Sequence, residues 1–133
     1  MAIVLDTDVI IRDERKSFDL KRWLASHSGE RFEISAITVA ELWLGVERAT
    51  GAFKAERKEY IHRILSSVRI LPYTEAIALQ HARVWAELES SGKMIGAYDL
   101  IVAATALEHG SAVATFNQRH FSKVPSLKVI LPA

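Results

Sequence analysis

The sequence has 133 residues, half of them hydrophobic and a quarter charged, with a formal net charge of +1 and no cysteine. That length suits one domain, taken as residues 1–133, and the charge balance excludes a strong global field for nucleic acid, so any such contact needs a local basic patch. The absent cysteines exclude disulfides and thiolate metal sites. With no signal peptide and no apolar run near the roughly 20 residues of a bilayer span, the expectation is a soluble, cytoplasmic protein.

"AIVL" (2–5) predicts a short strand buried on both faces, as in a parallel sheet. Asp6 and Asp8 follow at once. An ionised carboxylate in an apolar run is costly unless it is paired, capping or metal-bound. Asp8 is expected to N-cap a short helix over 9–13, which leaves Asp6 as the acid without a structural role. A helix is expected around 17–28, stopped at Gly29, and a second strand at 32–35. Residues 38–50 have helical periodicity, with Leu42, Val46 and Ala49 on one face. Thr38 and Glu41 there form T-x-x-E, a capping box.

Residues 53–68 read as an amphipathic helix whose stripe is Phe53, Tyr60, Ile61, Ile64, Leu65 and Val68. A third strand, 69–73, ends near Pro72. A long helix over 75–91 carries Ile77, Leu79, Ala82, Trp85 and Leu88, and Gly92 closes it. The alanine-rich 98–110 predicts a buried helix with His109 and Gly110 at its end. Strands at 112–116 and 128–131 complete the chain. Trp23, Trp43 and Trp85 are expected mostly in the core, with some left for a groove or a subunit face.

Strands alternating with helices predict an α/β fold with a largely parallel, short-stranded sheet flanked by helices. Two helices in a row between the third and fourth strands test this. A 17-residue helix is about 25 Å long, and the extended linker 91–98 reaches roughly 23–25 Å, so the return climb is feasible. In such a sheet the strand C-termini and helix N-termini share one edge, where ligands bind. Asp6, Asp8, Glu41, Asp99 and Asn117 all fall at that edge. Taken singly, capping explains Asp8 and Glu41, and the helix dipole explains Asp99. Taken together they form a carboxylate cluster that repels itself unless a divalent cation is bound. Oxygen-only ligands point to Mg²⁺ or Mn²⁺, and the matching chemistry is phosphodiester hydrolysis. The five histidines show no H-E-x-x-H spacing, which argues against a zinc hydrolase.

The segments "VLDTDVII", "ISAITVAELWLGV", "IGAYDLIVAATALEHG" and "VATFNQRHFSKVPSLKVI" resemble those of PIN-domain proteins, specifically VapC-type toxins of toxin–antitoxin pairs, over nearly the whole chain. The resemblance implies a metal-dependent ribonuclease that cuts transfer or other structured RNA and is silenced by a VapB-type antitoxin. It also implies a homodimer and toxin–antitoxin hetero-oligomers. Asp6, Glu41 and Asp99 become the acids around Mg²⁺ or Mn²⁺. A fourth acidic position is filled here by Asn117 or, in another register, His120; Asp8 stands where asparagine is common. Thr7 and Thr115 are hydroxyl partners for the acids, and Arg12, Arg15 and Lys16, with Lys21 and Arg22 behind them, are the basic rim for RNA. Two rival readings differ in chemistry. One is a PIN module that binds RNA or antitoxin but cuts weakly or not at all, because an amide replaces an acid. The other is an aspartyl-nucleophile phosphatase on Asp6, which lacks its second acidic pair.

Overall fold

Strands β1 (Ala2–Leu5), β2 (Arg31–Ser35), β3 (Arg69–Leu71), β4 (Ala112–Ala114) and β5 (Val129–Ile130) form one wholly parallel sheet in the order β3-β2-β1-β4-β5. The computed structural model describes every residue, Met1–Ala133. β1 is central, with Val4 opposite both Glu33 and Val113. Its side chains alternate between two cores. Ile3 and Leu5 join one face, Val4 the other, which is why "AIVL" contains no polar residue.

The first face is covered by α1 (Thr7–Glu14), α2 (Leu20–Ser26), α3 (Ala36–Arg48) and α4 (Gly51–Ser67), through Val9, Ile10, Trp23, Leu42, Val46 and Ile61. The second is covered by α5 (Glu75–Ser90), α6 (Ala97–His109) and α7 (Gln118–Phe121), through Val84, Leu88, Leu100, Ala103 and Phe121. The expected α/β architecture is therefore the observed one. The chain builds outward from β1 to β3, then crosses back over α5 and α6 to place β4 on the other side of β1. The carboxyl edge between β1 and β4 is thus the point where strand order reverses, the place where open parallel sheets form crevices. The return climb is made as expected: Gly92, at φ +69°, turns the chain out of α5, and Lys93 N–H bonds back to Leu88 O at 2.8 Å.

Several local expectations are corrected. The helix expected over 17–28 is confined to Leu20–Ser26, because Asp19 caps it by accepting from Arg22 N–H. α3 starts two residues before Thr38, capped by Ser35, so Thr38 and Glu41 are not a capping box. Phe53, Leu79 and Trp85 are 60%, 63% and 48% exposed rather than packed. The buried stripe of α5 is Ile77, Val84 and Leu88, a narrow seam at spacings of seven and four that leaves Leu79 and Trp85 outside it. The short α7 was not anticipated, since four residues carry no periodicity to read. Trp23 is buried, while Trp43 is half-buried with its ring edge-on to His62. No helix is long and apolar enough to cross a membrane.

Candidate active site

Asp6 is the first residue beyond β1, and it is the N-cap of α1. Its Oδ1 accepts from Thr7 N–H at 2.8 Å, and its Oδ2 accepts from the Thr115 hydroxyl at 2.8 Å. The role expected of Asp8 therefore belongs to Asp6. Asp8 sits in the first turn, where it accepts from Phe116 N–H at 3.1 Å and lies 3.4 Å from the Thr115 hydroxyl. The first helical turn thus ties α1 to the end of β4 through two carboxylates and one hydroxyl. Thr115 also accepts from Asn117 N–H at 2.9 Å, so this buried hydroxyl both donates and accepts.

Glu41 reaches the same crevice from the second turn of α3. Thr7 donates its hydroxyl to Glu41 Oε1 at 2.7 Å, and Thr38 Oγ1 lies 3.0 Å from Thr7 Oγ1. Thr7 has one proton and gives it to the carboxylate, so Thr38 must supply the hydrogen between the two hydroxyls. Thr38 is a positioning residue that sequence reasoning took for a cap; the T-x-x-E spacing was its signal, read on the wrong helix turn. Asp99 lies in the first turn of α6, behind Gly96, which as N-cap has no side chain to offer. From α7, His120 Nδ1 stands 3.4 Å from Asp99 Oδ2 and 2.8 Å from the Asn117 amide. Asn117 and His120 are thus in contact with each other, and His120 with Asp99.

The electrostatics show that these acids feel one another. Burial, then the Asp8 charge, with a further push from Asp99, raises Asp6 to about 7, against the Thr115 and Thr7 hydrogen bonds that pull it down. Asp8 is raised by burial, opposed by Phe116 N–H, Thr115 and the Arg12 charge. Glu41 is raised by burial and by Asp99, while Thr7 lowers it. Capping at a helix N-terminus favours an anion by only about 0.3–1 kcal/mol, so desolvation and like charge win. The cluster is short of positive charge.

As they stand, no three carboxylate or imidazole groups are close enough to form a ready-made cation cage. The donor set nevertheless fits a hard cation of the Mg²⁺ type, which takes one or two carboxylates and keeps its waters. Each Asp6 oxygen uses one lone pair in the hydrogen bonds described and retains another. These free lone pairs carry the fit, and a cation there would offset both the burial and the like charge that raise Asp6.

Of the basic residues expected at the rim, Arg12 lies beside Asp8 and Phe116. Its guanidinium lies 4.2 Å from the centroid of the Phe116 ring and acts on Asp8. Arg15 and Lys16 are exposed at the far end of α1. Arg57 of α4 is paired with Glu14, on the last turn of α1, at 3.1 Å.

Comparison with known proteins follows the same geometry. The family model described as PIN domain matches residues 3–127. Ribonuclease VapC1 of Rickettsia felis is 33% identical over 131 residues, covering 98% of this chain and 96% of that protein. Toxin FitB of Neisseria gonorrhoeae is 40% identical over 119 residues, covering 85% and 86%. The crystal structure of DNA-bound VapBC from Salmonella typhimurium superposes with a TM-score of 0.88 at 25% identity, over 97% of this chain and 96% of that one.

Proposed function

The chain belongs to the PIN domain family, and from that premise we propose that it is the ribonuclease toxin of a VapBC-type toxin–antitoxin pair, held in check by a VapB-type antitoxin. The reaction is hydrolysis of RNA phosphodiester bonds, with structured RNA such as transfer RNA as the substrate class. The single observation that carries the reading is the convergence of Asp6, Asp8, Glu41 and Asp99 on the β1/β4 crevice, with enough mutual repulsion and burial to push Asp6 to about 7.

Asp6 and Asp99 would hold a Mg²⁺ or Mn²⁺ ion, with Glu41 as the third acid. Bound there, such an ion supplies a water of lowered pKa and neutralises charge growing on the phosphate oxygens. Thr115 and Thr7 N–H fix the Asp6 carboxylate, so its oxygens do not have to reorganise during the reaction. Thr7, backed by Thr38, occupies Oε1 of Glu41 and leaves Oε2 to take up the proton of the attacking water. Arg12, seated on Phe116, offers a charge to the RNA backbone beside the acids.

The test is cleavage of total cellular RNA by the purified chain, freed of partner, with the cut ends mapped. Cleavage is expected with Mg²⁺ or Mn²⁺ and not with chelator, and Asp99→Asn should lower it at least about 100-fold, the scale on which transition-state charge stabilisation is lost. Equal cutting by wild type and Asp99→Asn would place the activity in a contaminant.

A further inference from the structure

Asn117 and His120 stand three residues apart after β4, and the fold does not use Asn117 in its ordinary way. Asn117 is the N-cap of α7, yet its side chain makes no capping hydrogen bond. It turns to His120 instead, with the amide Nδ2 2.8 Å from the ring Nδ1. The same Nδ1 is 3.4 Å from Asp99 Oδ2. An ionised carboxylate only accepts, so that contact is favourable only if Nδ1 carries a hydrogen. An amide nitrogen only donates, and a protonated Nδ1 cannot answer it. Both contacts are satisfied together once the amide is turned by a half rotation, which exchanges oxygen for nitrogen and leaves the heavy-atom outline unchanged. One N–H is then shared between Asn117 Oδ1 and Asp99 Oδ2.

We propose that His120 is a positioning residue, held by Asn117 with a hydrogen on Nδ1, that fixes Asp99 by donating to its Oδ2 and leaves Oδ1 free for a cation. The inference rests on the reading of Asp99 as a cation ligand. It assigns to an amide–imidazole pair the orienting work a fourth acid would do, without another negative charge in a cluster that already repels itself. Hydrogen-bonded partners of this kind orient the carboxylates that bind metals, and their loss usually weakens metal binding by 10–100-fold.

The experiment uses the full chain with ¹⁵N-labelled histidine, free of metal and near pH 8, to read by NMR which ring nitrogen of His120 carries the hydrogen. Calorimetry then gives the Mn²⁺ affinity of wild type, His120→Asn, His120→Gln and His120→Ala, each first shown to be folded by thermal unfolding. An asparagine amide nitrogen falls where Nδ1 stood; a glutamine nitrogen falls nearer Nε2. The Nδ1–H tautomer is expected, with His120→Asn close to wild type and His120→Gln and His120→Ala weakened about 10-fold. An Nε2–H tautomer overturns the proposal, as do equal affinities in all four proteins or a stronger His120→Gln than His120→Asn. Wild type that binds no Mn²⁺ overturns the cation reading itself, while the tautomer is still decided by NMR.

Discussion

Asp6 combines two demands that oppose each other. As the cap of α1 and partner of Thr115 it stabilises the junction of β1 with the β4 edge; as a buried acid beside Asp8 and Asp99 it strains that junction. The consequence for pH follows from the direction of the shift. A carboxyl raised to about 7 in the folded chain, and titrating near 3.8 when unfolded, contributes stability that is fully present below about 3.8 and is lost as pH rises through about 7. Metal-free protein should therefore melt at a lower temperature at pH 8 than at pH 5, and Mg²⁺ should restore stability at pH 8 but not at pH 5. Asparagine caps helices well: its Oδ1 can accept from Thr7 N–H while its Nδ2 donates to the Thr115 hydroxyl, whose own hydrogen can turn to Asp8. Asp6→Asn should accordingly abolish cleavage, raise the metal-free melting temperature at pH 8, and remove the Mg²⁺ response. Thermal unfolding at the two pH values checks this; an unchanged pH dependence in Asp6→Asn would sink it. The sequence marked Asp6 as the acid needing compensation, but it could not show that Asp6 is its own helix's cap. Two candidate caps two residues apart are indistinguishable until the strand's end is located in space.

At the scale of elements, the strands were easier to read than the helix boundaries. Strand β1 announces itself as an apolar run cut off by Asp6, β2 as the alternating pattern RFEIS, and the alanine-rich α6 with its Gly110 cap has few alternatives. Helix stripes were harder, because a residue such as Leu79 fits a helical period yet lies just beyond the contact seam with the core. α7 is the element the site needs most and the sequence showed least. It is four residues long and hangs on one side chain, the fully buried Phe121, which packs into the core of α5 and α6. Phe121→Ala should cost about 3–5 kcal/mol through the cavity it leaves, and should loosen Asn117 and His120 with it. Phe53→Lys, at an exposed position of α4, should change stability by no more than about 0.5 kcal/mol. Denaturant unfolding of the two variants measures both, and a large loss in Phe53→Lys would contradict the packing described.

The whole molecule explains why four distant segments meet. Reversal of strand order at β1 and β4 opens a crevice at one point of the carboxyl edge, and α1, α3, α6 and α7 each present a first or second turn to it. Sequence order alone gave the common edge; the strand order, which the sequence did not contain, gave the point along it. That is why Asp6, Asp8 and Thr115 touch directly, Glu41 arrives through Thr7, and Asp99 arrives through its charge and His120. The central claim is that this crevice is a cation site shared by Asp6 and Asp99. Anomalous diffraction from Mn²⁺-soaked crystals of the wild type and Asp6→Asn tests it most directly. A Mn²⁺ peak liganded by Asp6 and Asp99 in the wild type, and lost in Asp6→Asn, is the predicted result; a wild-type peak away from both carboxylates, or one that survives the substitution, would contradict it.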